Sequence, residues 1–286
     1  MELIRTAAEL ETGADARRAA GDRVGFVPTM GAIHDGHASL IRRARGESGF
    51  VVVSIFVNPL QFGQGEDLEG YPRDEPRDLR MCERLGVDAV WAPPVDEVFP
   101  PGVELPSPDR GPAGDRFEGA ARPGHFAGVL TVVRRLFDLV GPSTAYFGEK
   151  DAQQLFLVRR MVDHLGLPVR IVGCPTVREP DGLALSSRNG LLGPEEREQA
   201  TCLFLGLSEA ASLARAGERD AAVLVASIAR EVGATPLASL DYAGVVDDAT
   251  FEPVSTLERG VAAQAIVAAR FPSARLIDNL TLPDPG

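Results

Sequence analysis

The stretch that decides the fold of this 286-residue chain runs Phe26-Val27-Pro28-Thr29-Met30-Gly31-Ala32-Ile33-His34-Asp35-Gly36-His37. Residues 23–27 are predicted to form a short buried strand, and the apolar and basic residues 38–45 are predicted to form a helix. The proline and two glycines between them predict a strand–loop–helix junction. The first N–H groups of a helix have no partner inside it and lie at the positive end of its dipole, so such a junction suits an anion.

Two of the four histidines of the chain, His34 and His37, lie in this junction. They are three residues apart, so they share one face if the first turn is helical. Two imidazoles beside a helix end can donate hydrogen bonds to a polyphosphate as charge builds up on it. A single histidine in a loop is more commonly a surface residue, but the pair in a His-x-Gly-His turn indicates a nucleotidyl-transferring Rossmann-like site. The pattern alone does not identify a substrate.

Composition places the chain among globular proteins, since 44% of its residues are hydrophobic and 24% are charged. Its length allows one large domain, or one medium domain with a smaller one. No apolar run is long enough to cross a bilayer, and residues 1–20 lack an apolar signal core, which predicts a protein that is neither secreted nor membrane-bound. Cys82, Cys174 and Cys202 are far apart and odd in number, which argues against disulfides or a zinc site and fits a reducing cytoplasm.

The formal net charge of −12 and the sequence pI of about 4.9 argue against a protein that binds nucleic acid. An anionic substrate would need positive charge concentrated locally. Among the 29 basic residues, only Lys150 is a lysine, and all the others are arginines.

Residues 50–57 form a continuous, mostly β-branched run, which is typical of a strand buried on both faces of a parallel sheet. The run ends in Asn58-Pro59-Leu60-Gln61, and ligands of open α/β sheets bind beyond the carboxyl ends of strands. Asn58 and Gln61 therefore either shape a turn or contact a ligand, and the residues leave both open. Residues 63–72, rich in glycine and polar side chains, are predicted to be a mobile loop.

The remaining elements follow from periodicity. His125, at the start of one predicted helix, suits capping, packing or ligand contact equally. The sequence pattern changes after Pro194, where alanine-rich helices precede short strands. We therefore place a domain boundary near Val177, giving domains of 1–176 and 177–286. Helices are predicted at 1–20, 74–85, 124–140, 152–165, 195–216 and 220–233, and strands at 89–91, 144–147, 169–173, 240–246 and 262–269.

A second strand–loop–helix junction reads Gly148-Glu149-Lys150-Asp151. Lys150 could offer a point charge to a phosphate, and Asp151 could accept hydrogen bonds from ribose hydroxyls. Gln154 follows one turn later on the same face. Such a run is usually a solvated charge cluster, but the presence of the only lysine favours a functional role.

A third candidate is Ser186-Ser187-Arg188, in which two hydroxyls and a guanidinium make a compact donor set for phosphate oxygens. Consecutive serines also commonly cap helices, and this alternative stays open.

Taken together, these blocks closely resemble the pantothenate synthetase family, in order and with family-like spacing over residues 23–192. The resemblance implies a Rossmann-like N-terminal domain with a smaller α+β C-terminal lid, and a cytoplasmic homodimer. It also implies that ATP joins pantoate to β-alanine through a pantoyl-adenylate, with release of pyrophosphate and AMP. The blocks are Pro28 to His37, Phe56 to Phe62, His125 to Val129, Phe147 to Asp151 with Gln153-Gln154, and Ser186 to Asn189.

Carried onto matching positions, the resemblance implies catalytic roles for His37, His34 and Lys150, with His37 supporting the phosphates as charge moves to pyrophosphate. Gln61 and Gln154 would bind pantoate, and Gln61 would also lie near β-alanine. The implied ATP site consists of Met30, Gly31, Ala32, Ile33, His34, Asp35, Gly36, His37, Gly148, Glu149, Lys150, Asp151, Val177, Leu185, Ser186, Ser187 and Arg188.

Two positions depart from the family pattern. Leu185 stands where methionine is usual, and leucine keeps the apolar volume beside an adenine contacted mainly through backbone. The acidic run familiar around Asp78 is here Arg77-Asp78, so no protein ligand is assigned to Mg²⁺, which the ATP phosphates would carry with waters.

The chemistry implied by the resemblance agrees with the residues, because an attack on the α-phosphate needs positioning and charge neutralisation, and no Ser-His or Cys-His nucleophile pair is evident. The alternatives are another His-x-Gly-His nucleotidyltransferase, a tRNA synthetase fragment, or a nucleotide-binding regulator without catalysis. The acidic balance disfavours tRNA, and retention of both histidines, Lys150 and the Ser-Ser-Arg run disfavours a regulator.

Overall fold

The computed structural model describes residues 1–63 and 68–284. Residues 64–67 of the predicted loop therefore lie outside the described residues, while residues 68–70 form a turn. The elements are β1 (Glu2–Ile4), α1 (Ala7–Ala19), β2 (Val24–Thr29), α2 (Asp35–Glu47), β3 (Phe50–Ile55), α3 (Glu75–Arg84), β4 (Ala89–Trp91), α4 (Val95–Val98), α5 (Glu118–Ala121), α6 (His125–Val140), β5 (Ser143–Gly148), α7 (Ala152–Leu165), β6 (Val169–Cys174), α8 (Pro194–Gln199), α9 (Cys202–Arg215), α10 (Ala221–Gly233), β7 (Ser239–Asp247), β8 (Ala263–Arg270) and β9 (Arg275–Thr281).

Six strands make one sheet in the order β1-β4-β3-β2-β5-β6, and every neighbouring pair is parallel. The Val51–Val53 segment of β3 is fully buried on both faces, as the apolar run predicts. The predicted α/β fold class is confirmed. The chain leaves β2 toward β3 on one side and later adds β5 on the other side, so β2 and β5 flank the point at which the strand order reverses.

The chain divides into two compact units. The first holds Met1–Glu149 and Leu157–Pro175, and the second holds Lys150–Phe156 with the residues from Thr176 onward. The assignment of functional domains to 1–176 and 177–286 remains a prediction.

In the second unit, β7, β8 and β9 form a three-stranded antiparallel sheet. Helices α9 and α10 pack on it through a core of fully buried side chains. Leu203 and Leu207 come from α9, Leu224 and Ile228 from α10, and Val267 from β8. A small antiparallel sheet beside helices agrees with the α+β expectation for this part of the chain.

Two element predictions were wrong in detail. Residues 2–4 form β1 rather than helix, because Thr6 and Glu9 make a capping box that starts the helix at Ala7. The helix predicted at 195–216 is divided into α8 and α9 at Ala200 and Thr201. Strand β9 and the short helices α4 and α5 were not predicted.

Candidate active site

The first candidate site lies at the carboxyl ends of β2 and β5, which are direct neighbours in the sheet. Met30 follows β2 and leads into the His34 loop, and Gly148 ends β5. This is the crevice at a topological switch point, where open α/β sheets bind their ligands. The topology therefore brings the two loops predicted from their strand ends to one edge of the sheet.

His34 and His37 form the start of α2. His34 is its N-cap residue, and its Nδ1 accepts the Gly36 N–H at 3.1 Å. The His34 N–H points to Nδ1 of His37 at 3.4 Å, and the two ring centroids are 4.1 Å apart. An Nδ1 that accepts a hydrogen bond leaves the proton of the neutral ring on Nε2. Both histidines therefore have the tautomer in which Nε2 is a donor.

A buried carboxylate fixes the loop that precedes these histidines. Asp78, from α3, is 1% exposed and accepts the N–H groups of Ala32 and Ile33, each at 2.8 Å. Ala32 has a φ of +49°, a left-handed conformation that only strong surrounding contacts maintain in a residue with a side chain. Burial raises the pKa of Asp78, and the hydrogen bonds from Ile33 and Ala32 oppose that rise. Sequence reasoning missed this role of Asp78.

The turn after β3 brings Asn58, Gln61 and Met30 together. Asn58 is 1% exposed, and its Nδ2 donates to Oε1 of Gln61 at 3.0 Å and to the Gly128 carbonyl at 3.1 Å. Nε2 of Gln61 lies 3.1 Å from the sulfur of Met30. Asn58 Oδ1 also accepts the Leu60 N–H at 3.1 Å, so the turn role left open for Asn58 is realised. The Gln61 amide is held in place by its neighbours.

His125 and Arg122 hold the backbone of the same turn. The Gln61 carbonyl lies 2.9 Å from His125 Nδ1 and 3.3 Å from Arg122 Nη2. Arg122 Nη1 lies 3.1 Å from His125 Nε2, and a guanidinium can only donate. His125 Nε2 is therefore the acceptor and Nδ1 the donor to Gln61. A Cβ at Gly128 would lie 2.0 Å from the Leu60 carbonyl oxygen, so α6 meets the turn at a point where only glycine fits.

In the second unit, Lys150 and Asp151 lie in a 3₁₀ turn that leads into α7. Lys150 and Asp151, like Gln154 in the first turn of α7, are partly exposed. The Lys150 carbonyl accepts the Asn279 side-chain amide at 2.8 Å. This contact ties the segment to β9.

The Ser-Ser-Arg run lies at the end of a narrow hairpin. The Leu185 N–H donates to the Val177 carbonyl at 2.9 Å, and Arg178 pairs with Ala184 across the hairpin. Ser186 Oγ accepts the Arg188 N–H at 3.2 Å and caps a 3₁₀ helix over Ser187–Leu191. The capping alternative is therefore realised for Ser186, while Ser187 and Arg188 lie in the first turn of that 3₁₀ helix.

The three thiols are poor nucleophiles. Burial raises the pKa of Cys82 to about 12 and that of Cys174 to about 11, and it also raises the pKa of Cys202. Each thiol stays protonated near neutral pH. Over the described residues, no three His, Cys, Asp or Glu side chains are grouped as a metal ion requires. Within the same ranges, no helix is both long and apolar enough to span a membrane.

The family model for pantoate–β-alanine ligase matches residues 2–281 of the chain. The chain belongs to this family. The pantothenate synthetase of Roseiflexus sp. strain RS-1 is 51% identical over 283 residues, which span 99% of each protein. The pantothenate synthetase of Thermus thermophilus is 52% identical over 282 residues, which span 98% of this chain and 99% of that protein.

Solved structures of family members have the same fold. A crystal structure of pantothenate synthetase from Thermus thermophilus superimposes with a TM-score of 0.92 at 50% identity, covering 98% of this chain and 99% of that one. Pantoate–β-alanine ligase from Francisella tularensis, in complex with βγ-ATP and β-alanine, gives a TM-score of 0.78 at 32% identity over the whole of both chains. These likenesses confirm the Rossmann-like sheet with a separate small antiparallel sheet.

Proposed function

We propose that this pantoate–β-alanine ligase family member joins pantoate to β-alanine with ATP, giving pantothenate, AMP and pyrophosphate. The observation that carries the proposal is the family match over residues 2–281, with 50–52% identity to pantothenate synthetases over nearly the whole chain. The Francisella tularensis relative, in complex with βγ-ATP and β-alanine, supports the same substrates here. The product is a precursor in coenzyme A biosynthesis.

The reaction divides into two displacements. A carboxylate oxygen of pantoate attacks the α-phosphorus of ATP, the bond to the pyrophosphate oxygen breaks, and pantoyl-adenylate forms. The amine of β-alanine then attacks the acyl carbon, the bond to AMP breaks, and the nitrogen loses a proton. Neither step needs a protein nucleophile, which agrees with the raised pKa values of the three thiols.

The His34 and His37 side chains would stabilise the departing pyrophosphate. Their Nε2–H groups are preorganised donors, because each Nδ1 is directed at a backbone N–H. Lys150 would add a compact positive charge, and Ser186, Ser187 and Arg188 would add further phosphate donors. The rest of the proposed ATP site is Met30 to Ile33, Asp35, Gly36, Gly148, Glu149, Asp151, Val177 and Leu185.

Gln61 and Gln154 would bind pantoate, with Gln61 also near β-alanine. A neutral amide both donates and accepts, which suits a small hydroxy acid. Asn58 and Met30 contact the side-chain amide of Gln61, while Arg122 and His125 hold its backbone carbonyl. An amide held this way is preorganised for its substrate.

Mg²⁺ would arrive with ATP as part of the substrate. A carboxylate in contact with the His34 loop belongs to Asp78, whose two oxygens each accept a backbone N–H. This donor set fits a structural role better than a metal ligand. We therefore assign the ion to the phosphates and waters.

The proposal extends to assembly and location. We infer a cytoplasmic homodimer, as the family resemblance implies, and the free, buried cysteines agree with a reducing compartment. We also infer that the acidic chain binds neither nucleic acid nor membrane. Residues 177–286 would act as a lid that keeps water from the mixed anhydride.

Product analysis tests the function. With ATP and Mg²⁺, AMP formation should require both pantoate and β-alanine, and pantothenate should appear in equal amount. Omission of β-alanine should leave a single-turnover burst of pyrophosphate with pantoyl-adenylate bound to the protein. A nucleotide adduct of another acceptor, or no turnover with both substrates, would contradict the proposal. Pantoyl covalently attached to the protein, seen by mass spectrometry, would contradict the direct adenylate route.

A further inference from the structure

Arg178 joins the hairpin of the second unit to β9 through several hydrogen bonds. Its Nη1 donates to the Gly182 carbonyl at 3.1 Å and to Asp278 Oδ2 at 2.6 Å. Its Nη2 donates to Asp278 Oδ1 and to the Asn279 carbonyl, both at 3.0 Å. The guanidinium therefore closes the hairpin that ends in Ser186 and binds it to β9.

Close packing and burial hold the Arg178 guanidinium in one orientation. Its carbon lies 4.7 Å from the ring centroid of Phe204, and a Cβ at Gly182 would lie 2.0 Å from the same ring. The Asp278 side chain is 1% exposed and that of Arg178 is 18% exposed. Burial raises the pKa of Asp278, and the hydrogen bonds of Arg178 oppose the rise. The planar fork, stacked on a ring and paired at both nitrogens, is a directional contact that a lysine could not reproduce.

Asn279, the residue after Asp278, contacts the segment that carries Lys150. Asn279 Nδ2 donates to the Lys150 carbonyl at 2.8 Å, and Lys150 also lies close enough to Asp278 to lower its pKa electrostatically. Two successive residues of β9 thus hold both Lys150 and the hairpin that carries Ser186–Arg188. A central position in an ordered antiparallel pairing fixes both residues, since Asp278 pairs with Val267 and Asn279 with Ile266.

We propose that Arg178, Asp278 and Asn279 are positioning residues that set the spacing between Lys150 and the Ser186–Arg188 donors. The proposal rests on the proposed function, because Lys150 and Ser186–Arg188 are phosphate donors only in that reaction. The three positioning residues would hold these donors in place without touching the reacting atoms. A buried ion pair adds little net stability compared with apolar packing, so its geometry is what the fold gains. Donors set in advance stabilise the transition state more than the ground state.

The test uses Asn279→Ala, because this variant removes the neutral amide that donates to the Lys150 carbonyl and keeps both partners of the Arg178–Asp278 pair. The matched control is Arg197→Lys, since Arg197 makes a two-pronged contact with Asp181 of the same hairpin, at 2.8 and 3.2 Å, rather than with β9. Pyrophosphate release is measured in single turnover with ATP–Mg²⁺ and pantoate, at a temperature below the unfolding transition of every variant. Calorimetry gives the ATP dissociation constant.

We expect Asn279→Ala to slow pyrophosphate release by about ten- to a hundredfold, as misplacement of a positioned group does, while ATP affinity changes far less. Arg197→Lys should retain the wild-type rate. In a Lys150→Ala background, Asn279→Ala should add little further loss, because it acts through Lys150. A rate for Asn279→Ala equal to that of the control overturns the network. So does an equal loss with and without Lys150, which would indicate a general structural role.

The two proposals fail separately. No pantothenate from the unmodified protein would refute the proposed function, whatever the variants do. Normal activity of both the unmodified protein and Asn279→Ala would refute the positioning network alone.

Discussion

In each unit, a buried aspartate fixes a loop that carries proposed phosphate donors, but the two aspartates do so through different hydrogen bonds. Asp78, 1% exposed, accepts two backbone N–H groups of the His34 loop directly. Asp278, also almost fully buried, binds the Ser186 hairpin through Arg178. The backbone groups explain the difference. The first loop turns N–H groups toward its carboxylate, which can accept them, whereas the second turns the Gly182 carbonyl inward, so a guanidinium must donate to it.

The largest expected effect separates the two arrangements by stability. Asp278→Ala leaves the Arg178 guanidinium buried without its anion, which should lower the free energy of unfolding by about 3–5 kcal/mol. Asp78→Ala leaves two neutral N–H groups without their acceptor, and water that enters the vacated space can accept from them, so the loss should be smaller, about 1–3 kcal/mol in all. Urea unfolding of both variants measures the difference. An equal or larger loss in Asp78→Ala would remove the distinction between paired and unpaired carboxylates.

The next effect concerns rate in the first unit. His37→Ala should slow adenylation on the order of a hundredfold, because it removes a preorganised donor whose contribution grows in the transition state. ATP affinity should change much less. His164→Ala, which alters an exposed histidine near the end of α7, is the matched control. Single-turnover rates and calorimetry separate the two effects, and a variant that lost only affinity would contradict the assignment.

A smaller effect is expected at Gln61. Gln61→Ala removes neutral hydrogen bonds, so pantoate affinity should fall by roughly two- to tenfold, or about 0.5–1.5 kcal/mol, with ATP binding nearly intact. Gln154→Ala should behave alike if both amides contact pantoate. Calorimetry with pantoate and ATP measures each. Normal pantoate binding by either variant would remove that residue from the site.

The smallest effect concerns Glu196, whose pKa is lowered, whereas the pKa values of Asp78 and Asp278 are raised. Hydrogen bonds from the Gly193 N–H, and then from Ser273, lower the pKa of Glu196 below its ordinary value of 4.5. A depressed pKa contributes stability that is present above the ordinary value and is lost as the pH falls through the folded-state pKa. Glu196→Gln should therefore unfold at a lower temperature near neutral pH, and the gap should narrow as the pH falls below that ordinary value. A gap independent of pH would indicate that the charge of Glu196 does not matter.

Local patterns predicted most of the fold and the candidate loops. The buried run of β3, the His34–His37 junction and the Lys150 junction all depend on residues close in sequence, and the strand ends locate them. Strand β9 was missed because Asp278-Asn279 resembles a turn, and its burial becomes visible only when Arg178 pairs with it. Similarly, no local signal in α3 shows that Asp78 accepts N–H groups from a loop far earlier in the chain. Contacts of this kind are set by tertiary structure.

The most direct test of the account follows the oxygen atoms of pantoate. Pantoate labelled with the heavy oxygen isotope in its carboxylate is turned over with ATP, Mg²⁺ and β-alanine, and the products are examined by mass spectrometry. Attack of the carboxylate on the α-phosphorus predicts that one labelled oxygen leaves in AMP, because the bond that later breaks joins that oxygen to the acyl carbon. Label in phosphate or pyrophosphate with none in AMP would contradict a pantoyl-adenylate, and with it the roles given to His37 and Lys150.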